Sequence, residues 1–382
     1  MAERIFWIST VTLIYTYIGY AAWCAVLARL FPIKRAIRDI YPALTLIIPC
    51  YNEELVIRDK INNTLNLVYP RDKLQVIIAS ESTDATNAIA SGFASNGVEL
   101  AVFGQRHGKS ALIMSVMPRA RGEIIAFSDA NIMLHKDSLE KLARNFADPR
   151  VGAAAGVVCV TNPGVSSISW AEAAYKRYEN FLRKANSRRG HLLNPDGALF
   201  AIRKTLYRPI SADRGDDFEL VIRVLLQKHL SVLEPEAIAY ENAATTSRAE
   251  IRRKVRMVSW FLTSAAILCG EAVVAGQPGL MLQIISHKFF RWFTPVFLIA
   301  ICSCSASLWT RALIYQLTVV GCLIVIVLGT AGWYIGERKK RKPPLLLKAS
   351  LYILMFNYAF LAGIIKGLIP AQRRPTWEKS RE

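Results

Sequence analysis

Leu44-Thr45-Leu46-Ile47-Ile48-Pro49-Cys50-Tyr51-Asn52-Glu53-Glu54 is the stretch on which the reading of the fold turns. Leu44–Ile48 reads as a strand, and Pro49 stops its ladder because proline has no amide to donate. Two carboxylates then open a helical pattern over Glu53–Leu67, where the helix dipole favours negative charge. The same alternation repeats downstream. Leu74–Ala79 predicts a strand followed by a helix over 84–94, Leu100–Phe103 a strand followed by helix Lys109–Met117, and Glu123–Phe127 a further strand. Strands alternating with helices imply right-handed βαβ units and a mostly parallel sheet. Ligands of such sheets collect at the carboxyl ends of the strands, and the polar turns of this chain fall there.

Outward from this α/β region, residues 40–257, the chain turns apolar. Residues 5–28 contain no charged side chain and, at about 1.5 Å per residue, can cross a hydrocarbon core of roughly 30 Å. Arg29, Lys34, Arg35 and Arg38 follow that stretch instead of leading it, which argues for an anchor (residues 1–33) over a cleaved leader. Positive loops stay on the cytosolic side, so the α/β region is expected in the cytosol of a cell that holds the chain in its inner or plasma membrane. Residues 258–291 are apolar but broken by Glu271, Gln277-Pro278-Gly279 and Gln283; they predict interfacial amphipathic helices, with a hidden crossing as the alternative. Residues 292–369 hold about three further spans, at 292–310, 312–336 and roughly 344–365, ahead of a basic tail, 370–382.

Composition agrees with this division. Among 382 residues, 53% are hydrophobic and only 20% charged, against roughly 45–50% and about 25% in a soluble domain, so an all-soluble or disordered chain is disfavoured. Lys and Arg number 48 against 29 acids, a net +19, and much of this excess flanks the apolar segments. It reads as topology and contact with a lipid bilayer, not as a nucleic-acid surface. Seven cysteines form no C-x-x-C pair, which excludes a disulfide framework and argues strongly against a cysteine zinc site.

Six polar clusters could carry chemistry. Pro49, Tyr51 and Glu53 follow the first strand; as a bland alternative they are a turn with helix-capping acids. Ser80-Glu81-Ser82-Thr83-Asp84 follows the second, equally suited to a ribose or to capping. Arg106-His107-Gly108-Lys109 precedes a helix N-terminus and suits a phosphate, although its spacing is not that of a P-loop. Ser128-Asp129-Ala130-Asn131 ends a buried strand, where an aspartate is costly unless paired. Oxygen-bearing side chains at Asp129 and Asn131 can share one hard cation whose shell a diphosphate completes; the other reading is an Asx turn. Asp216-Asp217 opens a helix, and proximity of one carboxylate to the other can raise a pKa into the range of a general base. Arg252, Arg253, Lys254 and Arg256 fit either the membrane surface or a leaving diphosphate.

Taken in order, these clusters resemble family-2 glycosyltransferases of the GT-A fold, and within them the membrane-embedded branch of cellulose, hyaluronan and poly-N-acetylglucosamine synthases. Thr45–Glu54 is similar to that family's opening strand and nucleotide turn, Arg106-x-Gly108-Lys109 to its R-x-G-K element and Asp129-Ala130-Asn131 to its D-x-D metal site. Gly197-Ala198-Leu199-Phe200-Ala201-Ile202-Arg203 is similar to its G-a-l-f-A-i-R strand, and Asp216-Asp217 to its base motif. The resemblance implies that Asp217 deprotonates the acceptor hydroxyl. It implies that Pro49, Tyr51, Glu53, Glu81, Arg106, Lys109, Asp129 and Arg256 hold a nucleotide-sugar, with uridine as the nucleoside. It implies further that Asp129, with Asn131, binds Mg²⁺ or Mn²⁺ on the diphosphate. The acceptor would be a lipid-linked saccharide or a polysaccharide. Two departures bear on the choice among relatives: Asn131 stands where a second acid is common, and the Q-x-x-R-W signature of processive synthases is absent, Arg253-Lys254-Val255-Arg256-Met257 keeping only the arginine. The expectation is therefore an inverting, membrane-bound enzyme that adds single sugars. A processive synthase, or a non-catalytic nucleotide-sugar-binding subunit of an export complex, are the alternatives.

Overall fold

The computed structural model describes residues 1–161, 169–212, 214–241, 247–339 and 343–369. The expected basic tail 370–382, and Lys340, Arg341 and Lys342 of the loop before the last span, lie outside the described residues.

Eight strands form one mixed sheet: β1 Leu44–Cys50, β2 Leu74–Ser80, β3 Val98–Val102, β4 Ile124–Phe127, β5 Met133–Leu134, β6 Val151–Val160, β7 Phe200–Arg203 and β8 Leu230–Glu241. Their order is β3-β2-β1-β4-β7-β6-β8-β5. The first four run parallel, β7 is antiparallel to both β4 and β6, β6 and β8 are parallel, and β5 reverses again. The expected α/β architecture with a mostly parallel sheet is what the chain adopts. Every residue of β1 is buried, as a strand covered on both faces requires.

Alternation along these strands sends side chains to two cores. Leu46, Ile48, Ile78 and Ala126 join Ile57 and Ile61 of helix Ile57–Leu65 and Leu139 and Leu142 of helix Ser138–Ala143. Ile47, Ile77, Ile125 and Phe127 meet Leu112, Ile113 and Val116 of helix Lys109–Val116 and Leu220, Val221 and Val224 of helix Asp216–Leu226. That last helix is apolar on its other side as well. Phe218, Ile222 and Leu225 pack with Val258, Phe261, Ala265, Trp292 and Phe360 in a third core made by the C-terminal helices.

Among the described residues four helices are long and apolar enough to cross a membrane: Ala2–Leu30, Ile251–Val274, Leu313–Gly336 and Leu345–Leu368; Pro278–Trp292 and Thr294–Ser307, bent by 59°, add a fifth if they form one span. Ile18, Val327 and Leu346 are among large apolar side chains exposed on them, which suits a hydrocarbon surrounding better than water. The boundary expected at 257/258 falls inside one continuous helix, Ser247–Val274, because its apolar face finds partners in helices Asp216–Leu226 and Leu345–Leu368. Thr294–Ser307 alone is shorter than the span expected over 292–310.

Candidate active site

The four turns that leave β1, β2, β3 and β4 lie together along the carboxyl edge of the sheet. Pro49 and Cys50 are still in β1, paired with Ala79 and Ser80 of β2. The helix expected from Glu53 starts only at Ile57, because the residues between are held by the neighbouring turn. Asn52, at φ 54°, donates its amide to Ser82 Oγ at 2.9 Å, Glu53 donates to Thr86 Oγ1 at 2.8 Å, and Glu54 Oε2 accepts from the Ala85 amide at 3.1 Å. The guanidinium of Arg106 lies over the Tyr51 ring, 4.0 Å from its centroid. A cation stacked on an aromatic face presents a flat, positively charged shelf above the edge.

Glu81 is buried, and its carboxylate turns away from open solvent. It accepts the amides of His107 at 3.0 Å and Gly108 at 3.1 Å, one on each oxygen. Gly108 sits at φ 92°, a backbone conformation that a side chain strains. Glu81 and Gly108 together fix the loop that delivers Lys109, the first residue of its helix.

Lys109 is the centre of the constellation. Its ammonium is 2.8 Å from Asp129 Oδ1 and 3.1 Å from Asp216 Oδ2. Burial alone would push this ammonium down, but Asp129 and then Asp216 outweigh it and hold its proton well above the usual lysine range. Ser110, the next residue, donates its hydroxyl to the Arg214 carbonyl at 2.6 Å and so ties the Lys109 helix to the loop before Asp216. Asp217, one position on, points elsewhere, since neighbours on a helix are about 100° apart. It is partly buried, accepts the Phe218 amide on Oδ1 at 2.8 Å, and lies against Gly197, where a Cβ would come within 3.0 Å of its Oδ2. Burial, and then the charge of Asp216, push the Asp217 carboxyl up to about 7, against the pull of Lys109, the Phe218 amide and Lys288.

Asp217 lines a cavity of about 170 Å³ with Glu179, Arg183, Gly197, Lys254 and Lys288, among other residues. The structure thus brings together Asp129, Lys109, Asp216 and Asp217 in one region, and Glu81 with the 106–109 loop beside it. Arg256 is not among the residues lining that cavity; its guanidinium lies over Trp260 at 5.5 Å, while Arg253, Lys254 and Met257 face the cavity. Among the described residues no group of three His, Cys, Asp or Glu side chains could hold a metal. Asp129 Oδ1 and Asp216 Oδ2 are nevertheless buried without a hydrogen bond, each within ion-pair distance of the Lys109 ammonium. One such carboxylate with Asn131, partly buried two residues on, fits a divalent cation that takes most of its ligands from substrate phosphates and water.

Two groups near the site were not expected. Lys60 is fully buried beneath the Asp129 turn, donating to Ser128 Oγ at 2.7 Å and to the Ile132 carbonyl at 2.5 Å. Burial pushes its ammonium down to about 7, opposed mainly by the charge of Asp129. Glu179 is buried in an ion pair with Arg291 and receives the Asn194 amide at 3.4 Å.

Residues 45–210 match the family model described as Glycosyl transferase family 2. An N-acetylglucosaminyltransferase of Rhizobium sp. (strain N33) is 26% identical over 222 residues, 53% of this chain and 48% of its own. A beta-monoglucosyldiacylglycerol synthase of Nostoc sp. (strain PCC 7120) is 33% identical over 143 residues, 36% of this chain and 31% of its own. The chain spans about half or less of the length of these curated relatives. A mannosyltransferase of Pyrobaculum calidifontis, solved with GDP-Man and Mn²⁺, superposes with a TM-score of 0.73 over 96% of this chain and 99% of its own, at 21% identity.

Proposed function

We propose that this chain, whose residues 45–210 match the glycosyl transferase family 2 model and whose fold is that of a solved mannosyltransferase, is a membrane-bound inverting glycosyltransferase. It moves a sugar from a nucleotide-sugar, a UDP-sugar, to a lipid-linked saccharide or polysaccharide, with its catalytic domain in the cytosol. One observation carries the reading: Lys109 bridges Asp129 to Asp216, while the adjacent Asp217 faces a separate cavity. A donor-side anchor and an acceptor-side base thereby meet on one helical turn.

In this reading Pro49, Tyr51, Glu53 and Arg106 hold the nucleoside, with the Arg106–Tyr51 stack as its shelf. Glu81 acts by holding the 106–109 loop through its two amides. Lys109 neutralises charge developing on the departing diphosphate. Asp129 and Asn131 would hold a divalent cation, which supplies further neutralisation of that diphosphate. Asp217 takes the proton from the acceptor hydroxyl as that oxygen bonds to the anomeric carbon and the diphosphate leaves from the opposite side, so the configuration inverts. A carboxyl near 7 suits this task, because a base is most effective when its pKa lies close to working pH. The names of the relatives, a glycolipid synthase among them, support a sugar transferase acting at a lipid surface.

The test is UDP release by full-length protein in lipid vesicles, with a panel of UDP-sugars, Mg²⁺ or Mn²⁺, and mass analysis of the product. Asp217→Asn should abolish turnover and keep UDP binding. Wild-type turnover in that variant overturns the base assignment. UDP binding without turnover on any donor would favour a non-catalytic binding subunit.

A further inference from the structure

Lys60 stands beneath the turn that carries Asp129 and Asn131 without belonging to it. It lies on helix Ile57–Leu65, which begins just past the turn of Tyr51 and Glu53. The side chain is fully buried, yet among the described residues no carboxylate pairs with it. Both of its acceptors are uncharged, Ser128 Oγ at 2.7 Å and the Ile132 carbonyl at 2.5 Å. An ammonium taken out of water and offered only neutral oxygens costs stability that a methionine of similar length would not. Nor does the helix need a lysine to stay on the sheet, since its Ile57 and Ile61 already pack with Leu46, Ile48 and Ala126.

What the lysine adds is geometry. Its acceptors belong to residues 128 and 132, one on each side of Asp129-Ala130-Asn131. The turn hangs from the sheet by the Ser128 amide, which donates to the Ile47 carbonyl at 3.2 Å, and is closed by the Ile132 amide, which donates to the Asp129 carbonyl at 3.2 Å. One ammonium gripping both ends fixes the span between them, and with it the positions from which Asp129 and Asn131 project. Asn63, three residues on and therefore on the same helix face, grips the strand beyond. Its side chain donates to the Leu134 carbonyl and accepts the Leu134 amide, both at 2.8 Å. One face of this helix thus holds residues 128–134, with Lys60 at the turn and Asn63 at β5.

Resting on the cation assignment of the transferase reading above, we infer that Lys60 is a positioning residue for the divalent cation. It holds the Asp129–Asn131 turn in the shape that receives a metal with its diphosphate, acting through Ser128 and Ile132; neither Asp129 nor Asn131 is among its hydrogen-bond partners.

The charge of Lys60 and its grip act on a dication in opposite directions. A positive charge near the turn repels the metal, so losing the charge alone would tighten binding, whereas losing the grip weakens it. The experiment titrates UDP into full-length protein in phosphatidylcholine nanodiscs by calorimetry, with Mn²⁺ and without metal, and reads the ratio of the two affinities. In the wild type Mn²⁺ should tighten UDP binding. In Lys60→Met the ratio should fall by about tenfold to a hundredfold, the scale of a residue that orients a metal ligand, with metal-free UDP affinity unchanged. Ser128→Ala removes one acceptor and keeps the lysine; it should lower the ratio several-fold, and it decides the matter if Lys60→Met does not fold. Asn63→Ala should lower the unfolding temperature and keep the ratio. A ratio unchanged or raised in Lys60→Met overturns the inference, as does a wild-type ratio in Ser128→Ala when Lys60→Met fails to fold. An equal loss in Asn63→Ala reduces the lysine to general packing and overturns it too. A wild type that binds UDP equally with and without Mn²⁺ overturns the cation assignment and the inference with it. One that binds no UDP at all overturns the transferase reading instead.

Discussion

Asp216 and Asp217 are consecutive residues in opposite electrostatic settings. Asp216 belongs to a region in which it shares the ammonium of Lys109 with Asp129, at 3.1 and 2.8 Å. Asp217 faces a different setting, a cavity in which five cations and three acids line the wall. One carboxylate is held by a direct ion pair, and the other sits among cations none of which contacts it. Two adjacent side chains on one helix can separate donor chemistry from acceptor chemistry because the helix turns between them.

Breaking each side should give different losses, and they rank. Asp217→Asn removes the proposed proton acceptor alone; the turnover rate should fall roughly a hundredfold to ten thousandfold, with UDP affinity in a binding titration unchanged. Lys109→Met leaves Asp129 and Asp216 facing each other without their shared cation. It should lower unfolding stability by about 3 kcal/mol, the scale of an opened buried pair, and weaken UDP binding, both measurable on one purified sample. Glu81→Ala strips the acceptor from two loop amides. Leaving such groups unsatisfied costs about 1–3 kcal/mol, which should appear as a higher KM for the donor with a smaller change in kcat.

Acidity offers a finer comparison of the two aspartates. With Asp217 as the proposed base its ionised form is the active one, so kcat/KM should rise with pH through about 7 and level off above it. The raised pKa also means that the folded state favours protonated Asp217. That contribution to stability is full below about pH 4, the unfolded value, and is lost as pH climbs through about 7. Asp216→Asn removes a charge that lifts Asp217 and leaves Lys109 to pull harder, so the acidic limb of the rate profile should move to lower pH. The smallest effect belongs to Gly108→Ala, where a backbone at φ 92° would strain by about 1–2 kcal/mol and the KM for the donor should rise several-fold.

Legibility followed burial and sequence distance. The first four strands were readable to within about two residues because strands buried on both faces are unbroken apolar runs closed by polar turns. β6 was not assigned: Val151-Gly152-Ala153-Ala154-Ala155 is rich in small residues of weak strand preference. β8 was masked by Glu234, Pro235 and Glu236, although Glu234 is buried in a pair with Arg144. In the site, Lys109, Asp129, Asp216 and Asp217 stand out because each follows a strand or opens a helix. Lys60 did not, since a lysine on an amphipathic helix reads as a surface residue until Ser128 is seen above it. Lys288 left a usable signal, a charge within a long apolar stretch, which is a functional marker in a membrane segment. Its place in one cavity with Asp217, 71 positions away, needed the fold.

Helix Asp216–Leu226 has no solvent face to spare: Leu220, Val221 and Val224 close the core under the sheet, and Phe218, Ile222 and Leu225 close the one made by the C-terminal helices. Cutting the chain ahead of residue 247 to obtain a water-soluble fragment would lay that second stripe bare beside the two aspartates. The sheet domain and the bilayer-length helices therefore share one wall: whatever loosens that packing also disturbs the turn that carries Asp216 and Asp217.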